Sequence, residues 1–328
     1  MLSVICPVYN EEKYIVSCIE SILQQNYPRE EMEILFVDGM STDRTREIIT
    51  ACMVEYPFFR VIDNPEKIVP CAMNKGILEA RGNVIIRIDA HTLYEKNYFS
   101  VLVKQLDQLQ ADNVGAVCRT DVLNKNVKTL AIREVLSNKF GVGNSIFRTG
   151  VHETMEVDTV PFGCWRREVF DKYGYYDTRL VRNQDIELNK RIIRKGGKIC
   201  IVPDTYCTYL ARETFEALAK NNYGNGKWNI LTVFYTRQFD SLSIRHFVPL
   251  FFLLSLLLPL VGSLWWSSLV WLSVLSASLY LMIFGWVSFL IAFREKLNFI
   301  YLLACFITLH LSYGWGSLIG IFKLPFLK

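Results

Sequence analysis

Charge is nearly absent from the last quarter of this 328-residue chain. Of its 36 basic and 32 acidic residues, only Arg294, Glu295, Lys296, Lys323 and Lys328 lie beyond Phe247. That rules out an ordinary solvated surface there. Stretches 247–264, 269–293 and 299–322 each reach the roughly 18 apolar residues that suggest a membrane span. None of the nine cysteines forms a C-x-x-C pair, so neither a zinc site nor a disulfide framework is expected, and reduced, buried thiols are. No long basic stripe is present, which argues against nucleic acid. No G-x-x-x-x-G-K-[ST] occurs, which excludes a P-loop ATPase. Gly141-Val142-Gly143-Asn144-Ser145-Ile146 gives only part of G-x-G-x-x-G. It lies far from the first strand, so the dinucleotide fingerprint fails and the glycines read as a flexible active-site loop. Residues 2–9 already read as a strand, so no signal peptide is expected ahead of the first domain.

What is present divides the chain in three. Residues 1–214 are near-neutral and large enough for a sizeable core. Residues 215–246 mix Trp228, Phe234, Tyr235 and Phe239 with basic residues and read as an amphipathic membrane-interface segment. Residues 247–328 form the transmembrane region, with Trp265, Trp266 and Trp271 placed where an aromatic belt would lie. Arg237 and Arg245 precede the first span while the break at 265–268 is uncharged, which puts the front domain in the cytoplasm. Arg294 and Lys296 agree. Lys323 and Lys328 do not, and Gly314, Gly316 and Gly320 leave the third stretch open to a re-entrant path.

In the front part, apolar runs alternate with helical periodicity: strands at 2–10, 32–37, 59–63 and 84–88, helices at 11–25, 45–56 and 70–81. Alternation at this spacing predicts right-handed crossovers and an α/β fold with a mostly parallel sheet flanked by helices. Ligands of such sheets gather at the carboxyl ends of the strands. Those ends carry Tyr9 and Glu11, Asp38, and Asp89 with His91. Asp89 and His91 are two residues apart, so in an extended chain they converge on one side and are candidate metal ligands. A Tyr stacks on a base, a carboxylate accepts its N–H groups, and a cation neutralises a diphosphate. Farther on, Asn183 reads as an N-cap, and Asp185 lies in the first turn of a helix running to about Lys195. The helix dipole there favours an ionised carboxylate, a candidate general base.

Four segments together resemble the ordered motifs of family 2 glycosyltransferases: Ser3-Val4-Ile5-Cys6-Pro7-Val8-Tyr9-Asn10-Glu11-Glu12, Asp38-Gly39-Met40-Ser41-Thr42-Asp43, Asp89-Ala90-His91 and Asn183-Gln184-Asp185. Asn64-Pro65 through Asn74-Lys75-Gly76 and Val157-Asp158-Thr159-Val160 are similar to the membrane-attached branch of succinoglycan-type exopolysaccharide glucosyltransferases. The resemblance covers essentially the whole front domain and implies a GT-A fold with C-terminal transmembrane helices. It also implies inverting transfer from a UDP-sugar to a polyprenyl-linked saccharide, at a bacterial inner membrane with the catalytic domain facing the cytoplasm. By position it implies that Pro7, Tyr9, Glu11, Asp38, Asn74 and Asp89 hold the nucleotide-sugar. Asp89 and His91 would bind Mg²⁺ or Mn²⁺, and Asp185 would be the base. Gln184, Arg167 and Trp228 are acceptor-side candidates. Processive members carry Gln-x-x-Arg-Trp; Gly224-Asn225-Gly226-Lys227-Trp228 keeps only a basic-aromatic pair, which favours addition of one sugar. The other expectations open at this point are a polyprenyl-phosphate sugar synthase and a catalytically silent nucleotide-sugar-binding scaffold of an export complex.

Overall fold

The structure, a computed structural model, describes residues 1–143, 145–238 and 244–327. Asn144, Phe239 and Lys328 of the sequence reading lie outside these residues, and of Arg245 only the backbone is described. In chain order the elements are β1 (Leu2–Val8), α1 (Ile15–Leu23), β2 (Met32–Asp38), α2 (Thr45–Glu55), β3 (Phe59–Asp63), α3 (Val69–Glu79), β4 (Val84–Arg87), β5 (Thr92–Tyr94), α4 (Tyr98–Gln108) and β6 (Asn113–Asp121). They continue with α5 (Val127–Ser137), α6 (Lys139–Val142), α7 (Ile146–Thr149), β7 (Met155–Glu156), β8 (Cys164–Arg166), α8 (Glu168–Tyr173), α9 (Gln184–Arg194) and β9 (Ile199–Leu210). The chain ends in α10 (Phe215–Thr236), α11 (Val248–Gly262), α12 (Val270–Glu295) and α13 (Phe299–Lys323). It forms two compact units, Met1–Asp121 with Ser145–Leu210, and Val122–Asn144 with Ala211–Lys328.

In the first unit the strands make one sheet in the order β3-β2-β1-β4-β8-β6-β9-β5, with β7 on β9. β1 to β4 are parallel, as their crossover helices require, and in register: Val8 faces Asp38, and Asp38 faces Asp63. β8 runs antiparallel to both β4 and β6, so the half of the sheet beyond β4 is mixed. The helices cover both faces. One core joins Val4, Cys6, Ile34, Phe36 and Ile86 to Ile15, Ile19 and Phe99; the other joins Ile5, Leu35, Val37 and Ile85 to Met73, Ile77, Leu188 and Ile192. Adjacent residues of one strand supply opposite cores, as the pleat demands.

The second unit contains a segment that the sequence division at 214 does not separate. Ala131, Ile132 and Val135 of α5 are buried with Leu302, Cys305, Phe306 and Leu309 of α13, so residues 122–144 belong with the C-terminal helices. The glycines expected to form a flexible active-site loop are part of this segment. Asn138 accepts a hydrogen bond from the Phe140 N–H at 3.0 Å and starts the short helix α6; Gly143, at φ 65°, ends it.

Two helical stretches, Ser267–Glu295 and Phe299–Phe326, are long and apolar enough to cross a membrane, and Val248–Gly262 is a shorter apolar helix. Most of the first lies exposed: Trp271, Met282, Trp286 and Phe293 stand at its surface, where hydrocarbon rather than water suits them. By length and composition these helices suit a membrane-associated chain. The third apolar stretch is one continuous helix rather than a re-entrant loop, and its glycines have a packing role. A Cβ on Gly316 would land on the Tyr223 carbonyl, one on Gly226 on the Tyr313 carbonyl, and one on Gly320 would lie 2.9 Å from the Lys227 carbonyl. Small residues let α10 and α13 touch backbone to backbone. Gly226 sits where processive relatives carry another pattern, so here the segment before Lys227-Trp228 serves helix contact. Gly316→Val should separate the pair and cost about 1–3 kcal/mol. The check is a lowered thermal midpoint in detergent, with an unchanged midpoint for Gly285→Val, where a Cβ meets nothing.

Candidate active site

The parallel register brings the ends of β1, β2, β3 and β4 to one edge. Tyr9 follows β1 with its ring 45% exposed. Gly39 backs that ring, its Cβ position 3.2 Å away, and Lys67 Nζ lies 5.8 Å from the ring centroid. Asn10 turns the chain at φ 54°, its N–H donating to Ser41 Oγ at 3.0 Å and its Oδ1 accepting from Thr42 N–H at 2.8 Å. Asp38, wholly buried, accepts from Ser41 N–H (3.0 Å) and Oγ–H (2.6 Å) on one oxygen and from Arg46 Nη1 (3.1 Å) on the other. The same Nη1 donates to Asp63 Oδ1 at 2.6 Å. Pro7 lies within β1 opposite Val37.

Beyond β4 the chain passes Asp89 and His91. Glu11, expected at the nucleotide, meets His91: its Oε1 is 3.1 Å from Nδ1. A carboxylate only accepts, so Nδ1 carries the proton in this contact, and in the neutral imidazole Nε2 is then the acceptor. Tyr14 and Tyr209 hold the imidazole edge-on at 6.3 and 5.2 Å between centroids. A carboxylate behind a histidine is the arrangement that orients imidazole ligands on metals. Asp89 accepts from Arg87 Nε (3.3 Å) and Nη2 (3.1 Å) while its side chain stays 22% exposed. Among the described residues no three His, Cys, Asp or Glu side chains group as a cation cage. A single carboxylate and one imidazole fit a cation that takes its other ligands from phosphates and water.

Arg87 holds Asp89, and the charge of Asp185 acts on it. It is 6% exposed on a central strand, its N–H donating to the Gly163 carbonyl at 3.1 Å and its guanidinium 5.8 Å from the Phe162 ring centroid. Nη1 is buried with no hydrogen bond among the described residues. Burial disfavours its charge, yet Asp89, Tyr176 and Asp185 together hold the guanidinium above its ordinary pKa. The cation bonds Asp89 directly and is reached by Asp185 through charge alone. Burial, with Asp185 and Asp89 adding to it, pushes the Tyr176 phenol up against the opposing pull of Arg87.

Asp185 occupies the first turn of α9, where its Oδ1 accepts from the Ile186 N–H at 2.9 Å. Asn183 holds the N-cap position, but at φ 62° its side chain makes no capping bond; the left-handed turn, not the amide, starts the helix. Gln184 is buried. Asn74 has both amide atoms on Tyr176, accepting from its N–H and donating to its carbonyl at 2.9 Å each, so it positions the Tyr176 loop. Arg167 is not brought to these residues. Its guanidinium reaches the Ala80 and Leu78 carbonyls and its N–H the Asn83 carbonyl, at the opposite edge of the sheet. Trp228 is on α10 in the other unit, stacked on Tyr235 at 6.5 Å. Sequence reasoning passed over Arg46 and Arg87. The signal for Arg87 was a lone cation in a β-branched run, because a charge in a central strand needs partners.

The family model described as Glycosyl transferase family 2 matches residues 3–174. Over 265 residues the chain is 27% identical to the dolichyl N-acetyl-alpha-D-glucosaminyl phosphate 3-beta-D-2,3-diacetamido-2,3-dideoxy-beta-D-glucuronosyltransferase of Methanococcus voltae, covering 78% of this chain and 81% of that protein. It is 30% identical over 235 residues to the succinoglycan biosynthesis protein ExoA of Rhizobium meliloti, covering 68% and 67%. Among solved structures it is similar to the mannosyltransferase PcManGT of Pyrobaculum calidifontis in complex with GDP-Man and Mn2+. The TM-score is 0.60 at 17% identity, over 96% of this chain and 87% of that one. At that identity the likeness speaks for the fold.

Proposed function

Because the chain belongs to glycosyl transferase family 2 and has the GT-A fold, we propose that it moves one sugar, with inversion, from a UDP-sugar to a polyprenyl-linked saccharide. The product would serve synthesis of a bacterial exopolysaccharide or other cell-surface polysaccharide, with the first unit in the cytoplasm. The observation that carries this reading is Arg87. Its guanidinium holds Asp89 beside the donor-side strand ends, and the charge of Asp185, at the head of α9, helps to keep it above its ordinary pKa despite burial. Tyr9 offers a face for the base. Asp89 and His91 Nε2 would hold Mg²⁺ or Mn²⁺, which supplies positive charge to the departing diphosphate. Asp185 takes the proton of the acceptor hydroxyl as that oxygen attacks the anomeric carbon. A single displacement at that carbon inverts it. The acceptor is supported by the Methanococcus relative, whose name gives it a dolichyl-phosphate-linked sugar as acceptor, and by the apolar helices of the second unit.

The test uses membranes from expressing cells, radiolabelled UDP- and GDP-sugars, and lipid-linked oligosaccharide with Mg²⁺ or Mn²⁺. Label should enter the lipid fraction from a UDP-sugar and stop with chelator. A product bearing one sugar on a monophosphate lipid would instead establish a polyprenyl-phosphate sugar synthase. Bound nucleotide with no transfer from any donor would leave the scaffold.

A further inference from the structure

In the second unit the fold brings two ammonium groups together, those of Lys227 and Lys323. A Cβ on Gly316 would lie 3.0 Å from the Lys227 nitrogen, and one on Gly320 2.9 Å from its carbonyl, so α10 touches α13 at Lys227. Lys323 stands three residues beyond Gly320, on the face of α13 that meets α10. Its ammonium comes within hydrogen-bonding reach of Lys227, and burial together with that neighbouring charge holds Lys227 below the usual lysine range. Like charges in contact repel, the more so where water is partly excluded. No carboxylate relieves them. α13 has no acidic residue, and α10 has only Glu216, about three turns before Lys227. Lys227 is half-buried and Lys323 exposed, and Phe322 and Phe326 beside Lys323 are exposed as well. α10 carries Lys220, Asn221, Asn222, Asn225 and Asn229 besides Lys227, so the place where it pairs with α13 suits headgroups rather than hydrocarbon.

We infer that Lys227 and Lys323 together bind the headgroup phosphate of an anionic glycerophospholipid. Each ammonium only donates, and a phosphodiester offers an unesterified oxygen to each. A negative charge shared in this way turns one repulsion into two attractions, and basic pockets between membrane helices take anionic headgroups on this principle. The acyl chains would follow the apolar surface that begins at Phe322 and Phe326. A free phosphate ion has the same oxygens but gains nothing from that surface. A zwitterionic lipid carries its own cation, which competes with the lysines for its phosphate. The site gives a reason for Lys323, the one charged residue of α13: it helps to join α13 to α10 through a lipid rather than through a side-chain pair. Asp89, His91 and Asp185 have no part in it, so its test does not depend on sugar transfer.

The experiment measures binding of phosphatidylglycerol, and of phosphatidylcholine with the same acyl chains, to the full chain in neutral detergent by native mass spectrometry. The variants are the double change Lys227→Gln with Lys323→Gln, the single change Lys323→Glu, and Lys128→Gln as a control for net charge. Wild type should bind phosphatidylglycerol about thirtyfold more tightly than the double variant, the worth of two lysines at an anionic headgroup. Phosphatidylcholine binding and the Lys128→Gln control should show no such difference. Lys323→Glu supplies the anion from the chain itself. It should raise the thermal midpoint in lipid-free detergent, which also shows that the variant folds, and abolish the preference for phosphatidylglycerol. A lowered midpoint would contradict the contact between the two lysines. A double variant with wild-type affinity for phosphatidylglycerol overturns the inference, as does wild type that binds both lipids alike. Displacement of phosphatidylglycerol by inorganic phosphate, or more tightly by polyprenyl monophosphate, would assign the pair to a free anion or to the transfer acceptor and overturn the phospholipid.

Discussion

Asp185→Asn should lower the rate of sugar transfer by about a thousandfold or more, within the 10²–10⁴ that positioned general bases contribute, and leave UDP affinity within about threefold of wild type. The replacement is nearly isosteric. Its amide oxygen still accepts from the Ile186 N–H, so the first turn of α9 keeps the contact that Oδ1 makes at 2.9 Å. What it loses is basicity: an amide does not take a proton from an acceptor hydroxyl. It also removes one of the negative charges beside Arg87, while Asp89 keeps its own contacts with the guanidinium. Initial rates at saturating donor and calorimetric UDP binding, measured on one preparation, separate the two effects. A fall in both by the same factor would mean a damaged fold rather than a missing base.

Arg87→Met should be the most damaging single change in the first unit. The side chain is 6% exposed, so methionine fills much of its volume, but Asp89 loses both donors and the Phe162 face loses its cation. Removing one partner of a fully buried pair costs about 3–5 kcal/mol. Asp89 is 22% exposed, and water takes up part of that penalty, so about 2–3 kcal/mol is expected here. Transfer should fall with it, because Asp89 loses both of the donors that hold it. Arg87→Lys keeps the charge without the planar fork and should restore stability more than rate. The cycle formed with Asp89→Asn checks the coupling. In the Arg87→Met background Asp89→Asn should cost little further stability, and full additivity would contradict the shared role.

Much of this was legible because the informative contacts are local or follow the strand period. The third strand was read at 59–63 as it stands, since its run leads directly into Asn64-Pro65. The edge formed by Tyr9, Asp38 and Asp89 followed from parallel alternation alone. What escaped was the set of partners far away in the chain. Nothing local shows that Asn74 holds Tyr176, 102 residues on. The same is true of Arg46 reaching from a helix to the end of the next strand, and of the pairing that binds Glu11 to His91 across 80 residues. The expectation for Glu11 was contact with the nucleotide, and nothing in the sequence signals that its Oε1 also stands behind the imidazole. The glycines of residues 141–143 and of α13 were misread for a related reason. Glycine in a sequence signals freedom, whereas Gly316 is needed for close backbone contact and Gly143 for a helix stop.

The most direct measurement is the anomeric configuration of the new linkage, read by NMR on the glycolipid formed from an α-linked UDP-sugar. One carboxylate acting as base at Asp185, with no covalent intermediate, predicts a β-linkage in wild type. An α-linked product would contradict single displacement and, with it, the role given to Asp185.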